Sequence, residues 1–158
     1  MNTLLERLQI LEDIERIKQL KAHYCKLADH AYADSRIWEQ LISYFVDDAW
    51  LDFGDFGLYR GKQEVSKFFK EVTHEFLSYA AHMVVNPVIQ VRGDSALGKW
   101  RVFCPCTERA SNTALWVQGE YRDEFVRVDG EWRWRSISCS FDFVAPYHKG
   151  WASVAAMR

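Results

Sequence analysis

The sequence predicts an α+β fold, with helices first and a strongly curved antiparallel sheet after them. Two observations carry this. Apolar residues recur every three or four positions in three segments up to about residue 76, and long strand-like runs follow from residue 79. A third is the Asp129-Gly130 pair between two such runs, a strong short hairpin signal.

The first helix rests on Leu4, Leu8, Leu11, Ile14, Ile17, Leu20, Tyr24 and Leu27, which form one stripe. Glu6, Glu12, Glu15, Arg16, Lys18 and Lys21 form the opposite, solvated face. Asp13 is a fair N-cap, so a break is expected near Leu11–Asp13, and the helix should end near Asp34-Ser35. A shorter helix follows, with Trp38, Leu41, Ile42 and Phe45 on one side. Ala49–Phe53 and Leu58–Arg60 read as a small hairpin around the Gly54–Gly57 turn. Gly61 opens a third helix, Lys62 to about Phe76, with Val65, Phe68, Phe69 and Val72 inward. The strands expected next are 79–91, 95–108, 113–128 and 131–144. Gly98 and Gly119 lie inside two of them and are read as bulges or sharp bends that curve the sheet.

The 158 residues amount to one domain, large enough to need no disulfide or metal staple. Net charge is −2 with both signs spread along the chain, so no basic stripe marks a nucleic-acid partner. The absence of a long uncharged apolar run argues against a membrane span, and a cytoplasmic protein is expected. Cys25, Cys104, Cys106 and Cys139 match no zinc or thioredoxin spacing and read as buried reduced thiols. The histidines lack metal-ligand spacing, and no nucleotide-binding glycine loop or serine-hydrolase elbow is present. Neither a metal nor a cofactor is expected. Aromatics make up 15% of the chain and fall largely in the strands, as walls around a flat hydrophobic ligand would.

Local patterns then point to a family. Tyr24-Cys25-Lys26-Leu27-Ala28-Asp29 ends the long helix. Phe45–Ala49 leads to Leu51-Asp52-Phe53 and Tyr59-Arg60-Gly61. His82 and Asn86 follow the third helix, and Gly119–Phe125 precedes Arg127, Asp129-Gly130 and Trp132-Arg133. Together these resemble the SnoaL-like branch of the nuclear transport factor two-like superfamily, across most of the chain. The resemblance implies a cone-shaped α+β barrel, or cystatin-like roll. Within that superfamily the pattern is most similar to small cofactor-free lyases of the scytalone dehydratase, bile acid 7α-dehydratase and hexachlorocyclohexane dehydrochlorinase type. It implies a His82–Asp29 dyad inside the cone, assisted by Tyr24.

The residues themselves allow this chemistry. A carboxylate on one imidazole nitrogen fixes the tautomer and leaves the other as a base. The blander alternatives are a core histidine and a surface aspartate. Tyr24, Tyr32 and Tyr59 are candidates to hold a substrate oxygen, and Phe53 to wall the pocket. The further polar residue of related dehydratases falls near Cys104, with Arg101 as the substitute. Alternation sets Lys99, Arg101 and Phe103 on one face and Trp100, Val102 and Cys104 on the other, without deciding which is inward. Asp123 and Arg127 read as a salt-linked sheet face.

The expectation is a cofactor-independent lyase for a small aromatic or polycyclic hydroxylated substrate. Loss of water is the default reaction, and carbon–carbon cleavage releasing a small aldehyde from a phenolic compound is a related option. An isomerase or cyclase of the ketosteroid isomerase kind is one alternative. A non-catalytic binding or accessory domain is another. Large apolar groups on the outer sheet face suggest a homodimer or homotrimer.

Overall fold

The structure is a computed structural model and describes residues 3–154. The first helix, α1 (Leu4–Ala31), starts at a capping box. Thr3 accepts the Glu6 backbone N–H, and Glu6 returns a carboxylate to the Thr3 N–H at 2.7 Å. It then runs unbroken past Asp13, contrary to the expected break, and ends before the expected Asp34-Ser35. Its burial begins at Asp13 and Ile17, while Leu4, Leu8 and Leu11 of the apolar stripe remain exposed. Asp13 is therefore a buried partner and no cap. Lys21, assigned to the solvated face, is fully buried.

α2 (Ile37–Ser43) buries Trp38, Leu41 and Ile42. Phe45 belongs to the next element, β1 (Phe45–Asp52), which pairs antiparallel with β2 (Leu58–Arg60). α3 (Lys62–Lys67) continues through a π-helical segment, Phe68–Thr73, and a last turn, α4 (His74–Phe76). Phe68 and Phe69 in that wider segment are both buried.

The expected strand 79–91 is two strands, β3 (Leu77–Ala80) and β4 (Met83–Arg92), which both pair with β5 (Ser95–Glu108). β6 (Thr113–Val128) and β7 (Glu131–Pro146) complete the meander. The sheet order is β2-β1-β7-β6-β5-β3, with β1 parallel to β7 and the other pairs antiparallel. The seven strands curve into a half-barrel around α1.

The β6–β7 turn has positive φ at both Asp129 (52°) and Gly130 (82°), the geometry that makes Asp-Gly a hairpin signal. Gly119 sits at a register shift against β7, where an added Cβ would lie 2.2 Å from the Ser140 carbonyl oxygen. Gly98 is no bulge: β5 and β6 pair in continuous register there. The missing side chain makes room for the Trp100 ring, 2.1 Å from where a Cβ would stand.

Asp123 and Arg127 do not form a sheet-face pair. Asp123 is buried against Lys21, and Arg127 reaches Asp13 and Asp94. No helix among the described residues is long and apolar enough to cross a membrane.

Candidate active site

The concave side of the sheet and the helices enclose a cavity of about 110 Å³. From α1 it is lined by Tyr24, Ala28 and Tyr32, and from the π-helical segment by Phe68, Phe69, Val72 and Thr73. The sheet contributes Val102, Cys104, Cys106, Tyr121, Cys139 and Phe141. No Lys, Arg, Asp or Glu is among the described lining residues, so the lining is mostly apolar and aromatic.

His82 is the imidazole in that lining. It lies in the short break between β3 and β4. Its backbone N–H leaves the sheet and donates to both carboxylate oxygens of Asp29, at 3.0 and 3.1 Å. Its ring Nδ1 meets Asp29 Oδ1 at 2.6 Å. One carboxylate near the end of α1 thus fixes both the backbone and the ring of a residue 53 positions later. An ionised carboxylate can only accept, so Nδ1 is the donor in this contact, and in the neutral ring that leaves Nε2 with its lone pair. The His82 side chain is 13% exposed and that of Asp29 24%. The pair is thus shielded but reachable.

Tyr24 is buried beside the dyad, its ring edge-on to the imidazole at 6.4 Å between centroids. Burial pushes the Tyr24 and Tyr121 phenols well above the usual tyrosine range, and raises Tyr32 too. All three stay protonated at neutral pH and can donate a hydrogen bond.

The structure brings His82, Asp29, Tyr24, Tyr32, Phe53 and Cys104 together at the cavity. Two expected substrate contacts lie elsewhere. Tyr59 is absent from the lining, and its hydroxyl donates to the Phe56 carbonyl at 2.8 Å. Arg101 projects from the outer face of β5, where it pairs with Asp142. Alternation is resolved with Trp100, Val102, Cys104 and Cys106 inward and Arg101 outward. Arg101 therefore does not substitute for a polar residue at Cys104.

Cys104 is a buried thiol that its surroundings keep protonated. The neighbouring Cys106 thiol and burial together push its pKa up. Burial likewise raises Cys25 to about 11 and Cys139 to about 12.

Sequence reasoning missed Tyr121, Cys106 and Cys139 as lining residues. Period-two alternation from Cys104 would have found Cys106, and from the apolar Phe125 it would have found Tyr121.

Comparison with known proteins gives the family and the fold. A family model for a SnoaL-like domain matches residues 9–138. An uncharacterised protein of Mycobacterium tuberculosis (strain H37Rv) is 30% identical over 114 residues, covering 68% of this chain and 74% of its own length. Among solved structures, a hexachlorocyclohexane dehydrochlorinase from Novosphingobium barchaimii superposes with a TM-score of 0.75 at 21% identity, covering 91% of this chain and 94% of that one. A candidate scytalone dehydratase from Novosphingobium aromaticivorans gives 0.75 at 21% identity, over 92% and 91%. A nuclear transport factor 2-like protein from Salmonella enterica gives 0.71 at 16% identity, over 90% and 96%. At these identities the structural likenesses establish the nuclear transport factor 2-like cone. The family match, over most of the chain, establishes membership: this protein belongs to the SnoaL-like domain family.

Proposed function

We propose that the protein is a cofactor-independent lyase acting on a small hydrophobic, hydroxylated aromatic or polycyclic molecule. The observation that carries this reading is the 2.6 Å contact between His82 Nδ1 and Asp29, beside a cavity with no other described ionic group in its lining. The fold is shared with a dehydrochlorinase and a candidate scytalone dehydratase, which supports elimination chemistry.

In the default reaction His82 Nε2 accepts a proton from carbon, and the freed electron pair becomes a carbon–carbon double bond. The leaving hydroxyl departs as water, taking its proton from a cavity phenol such as Tyr24 or from the imidazolium. In the related phenolic reaction, water loss first gives a quinone methide. His82 then deprotonates a hydroxymethyl group, the carbon–carbon bond breaks, and formaldehyde leaves. Its electron pair forms the new double bond and restores the phenol ring. Asp29 orients the imidazole and balances its positive charge in both cases.

The test is a panel of aromatic alcohols and hydroxymethyl-bearing phenols, followed by ultraviolet detection of the conjugated product and assay of released aldehyde. Turnover by the native chain that disappears in His82→Ala and Asp29→Asn is expected. Turnover that survives in His82→Ala sinks the dyad.

The same reading includes assembly as a cytoplasmic homodimer or homotrimer. Tyr79, Met83, Val85 and Val88 are exposed on and beside β4, more apolar surface than water favours on one strand. A monomeric mass by light scattering across micromolar concentrations contradicts it.

A further inference from the structure

A charge lies under the cavity floor that the dyad chemistry does not use. Lys21 turns inward from α1 and is fully buried. Its Nζ donates to Asp123 Oδ2 at 2.8 Å, and the same oxygen accepts Trp134 Nε1–H at 3.0 Å. Asp123 Oδ1 has no partner among the described residues. The other neighbours of the ammonium include ring faces. Nζ stands 3.7 Å from the Tyr121 centroid, 4.7 Å from Tyr24 and 5.2 Å from Trp100. Tyr24 and Tyr121 line the cavity, and the Tyr24 ring lies edge-on to His82.

Stability alone explains this arrangement poorly. A buried ion pair exchanged for apolar groups of similar volume is often neutral or stabilising. A carboxylate oxygen left without a donor weakens the structural case further. Electrostatics offers a better account. A cation held on the face of a phenol draws electron density from the ring and strengthens the hydroxyl as a donor. A low-dielectric, water-excluded setting makes that effect larger.

The geometry points to Lys21 as a positioning residue. Held by Asp123, it polarises the Tyr24 and Tyr121 phenols so that they stabilise negative charge developing on a substrate oxygen. This inference rests on the lyase reading and narrows its substrate class. The reacting centre is conjugated to a carbonyl or phenolic oxygen, where the electron pair released by proton abstraction is delocalised. A saturated alcohol or alkyl halide places no such charge and gains nothing from Lys21.

The test uses the full chain with two probes, 4-nitrophenol at a pH where it is ionised in water, and neutral 4-nitroanisole of similar shape. The double substitution Lys21→Met with Asp123→Leu removes the charges and keeps apolar volume. Thermal melting checks that it folds. Binding of 4-nitrophenolate weakened about tenfold, with 4-nitroanisole affinity unchanged, is the expected result. Equal losses for both probes, or none, overturn the inference.

Tyr24→Phe and Tyr121→Phe give a second route that leaves the buried pair intact. Each should weaken the phenolate alone, and retention of phenolate affinity in both overturns the inference even where the double variant does not fold. His82→Ala separates the two ideas. Its phenolate preference should persist whatever becomes of its turnover, so failure of the dyad and failure of the Lys21 role read out in different experiments.

Discussion

α1 carries an inward carboxylate toward each end, and the fold answers them differently. Asp13 accepts Arg127 Nη1 at 3.0 Å and Nη2 at 2.7 Å, and Trp132 Nε1 at 3.1 Å. Burial by itself would raise its pKa, but the Arg127 and Trp132 hydrogen bonds outweigh that and hold it below the usual carboxylate value. Asp29 meets an imidazole, and that imidazole lines a cavity. A carboxylate closed off by a permanent cation ties two elements together. A carboxylate against an imidazole at a cavity is, in the proposed reading, what orients a base.

Substitutions at the two ends should therefore separate activity from stability. His82→Ala removes the base and should lower turnover by about 10²–10⁴-fold, with little change in melting temperature. Asp29→Asn should lower it by a similar factor, because an amide can hold the opposite tautomer. Steady-state kinetics on the substrate found in the panel checks both. At the other end, Arg127→Met leaves Asp13 buried without its cation. It should cost about 3 kcal/mol in denaturant unfolding while kcat of the folded fraction is kept. A loss of kcat there, with stability intact, would break the comparison.

Acid sharpens it further. The folded-state pKa of Asp13 is depressed below 3.8, so the pair contributes its full stability above that value. The contribution is lost as pH falls below 3.8 and through the depressed value. Unfolding free energy of the native chain should drop over that window. Arg127→Met should show a shallower drop, measured by urea titration at successive pH values.

The smallest effect expected is at Arg101, outside the cavity and paired with Asp142 across a partly exposed surface. Arg101→Ala should change stability by no more than about 0.5 kcal/mol and leave turnover as it was.

Much of this was legible in the sequence, and the failures share a cause. The α1 periodicity, the Asp-Gly turn and the long strands are local signals, and each gave its element within a few residues. His82 with Asp29 became a pair only through family resemblance, since 53 residues separate them. The break between β3 and β4 was hidden, because Tyr79–Val85 reads as one apolar run. The Asp29 carboxylate takes the His82 N–H that a continuous strand would use.

Lys21 was misplaced for the same reason. Its polarity fits a solvated face until Asp123, 102 residues later, supplies a buried partner. Arg101 and Tyr59 turned on sheet face and loop path, which alternation alone does not orient.

The most direct measurement is the tautomer of His82, read by two-bond nitrogen–proton correlation NMR on nitrogen-15-labelled protein at a pH where the ring is neutral. The account predicts a protonated, hydrogen-bonded Nδ1 and an unprotonated Nε2 in the native chain, and loss of that preference in Asp29→Asn. A native His82 protonated on Nε2 would contradict it, because no base would then face the cavity.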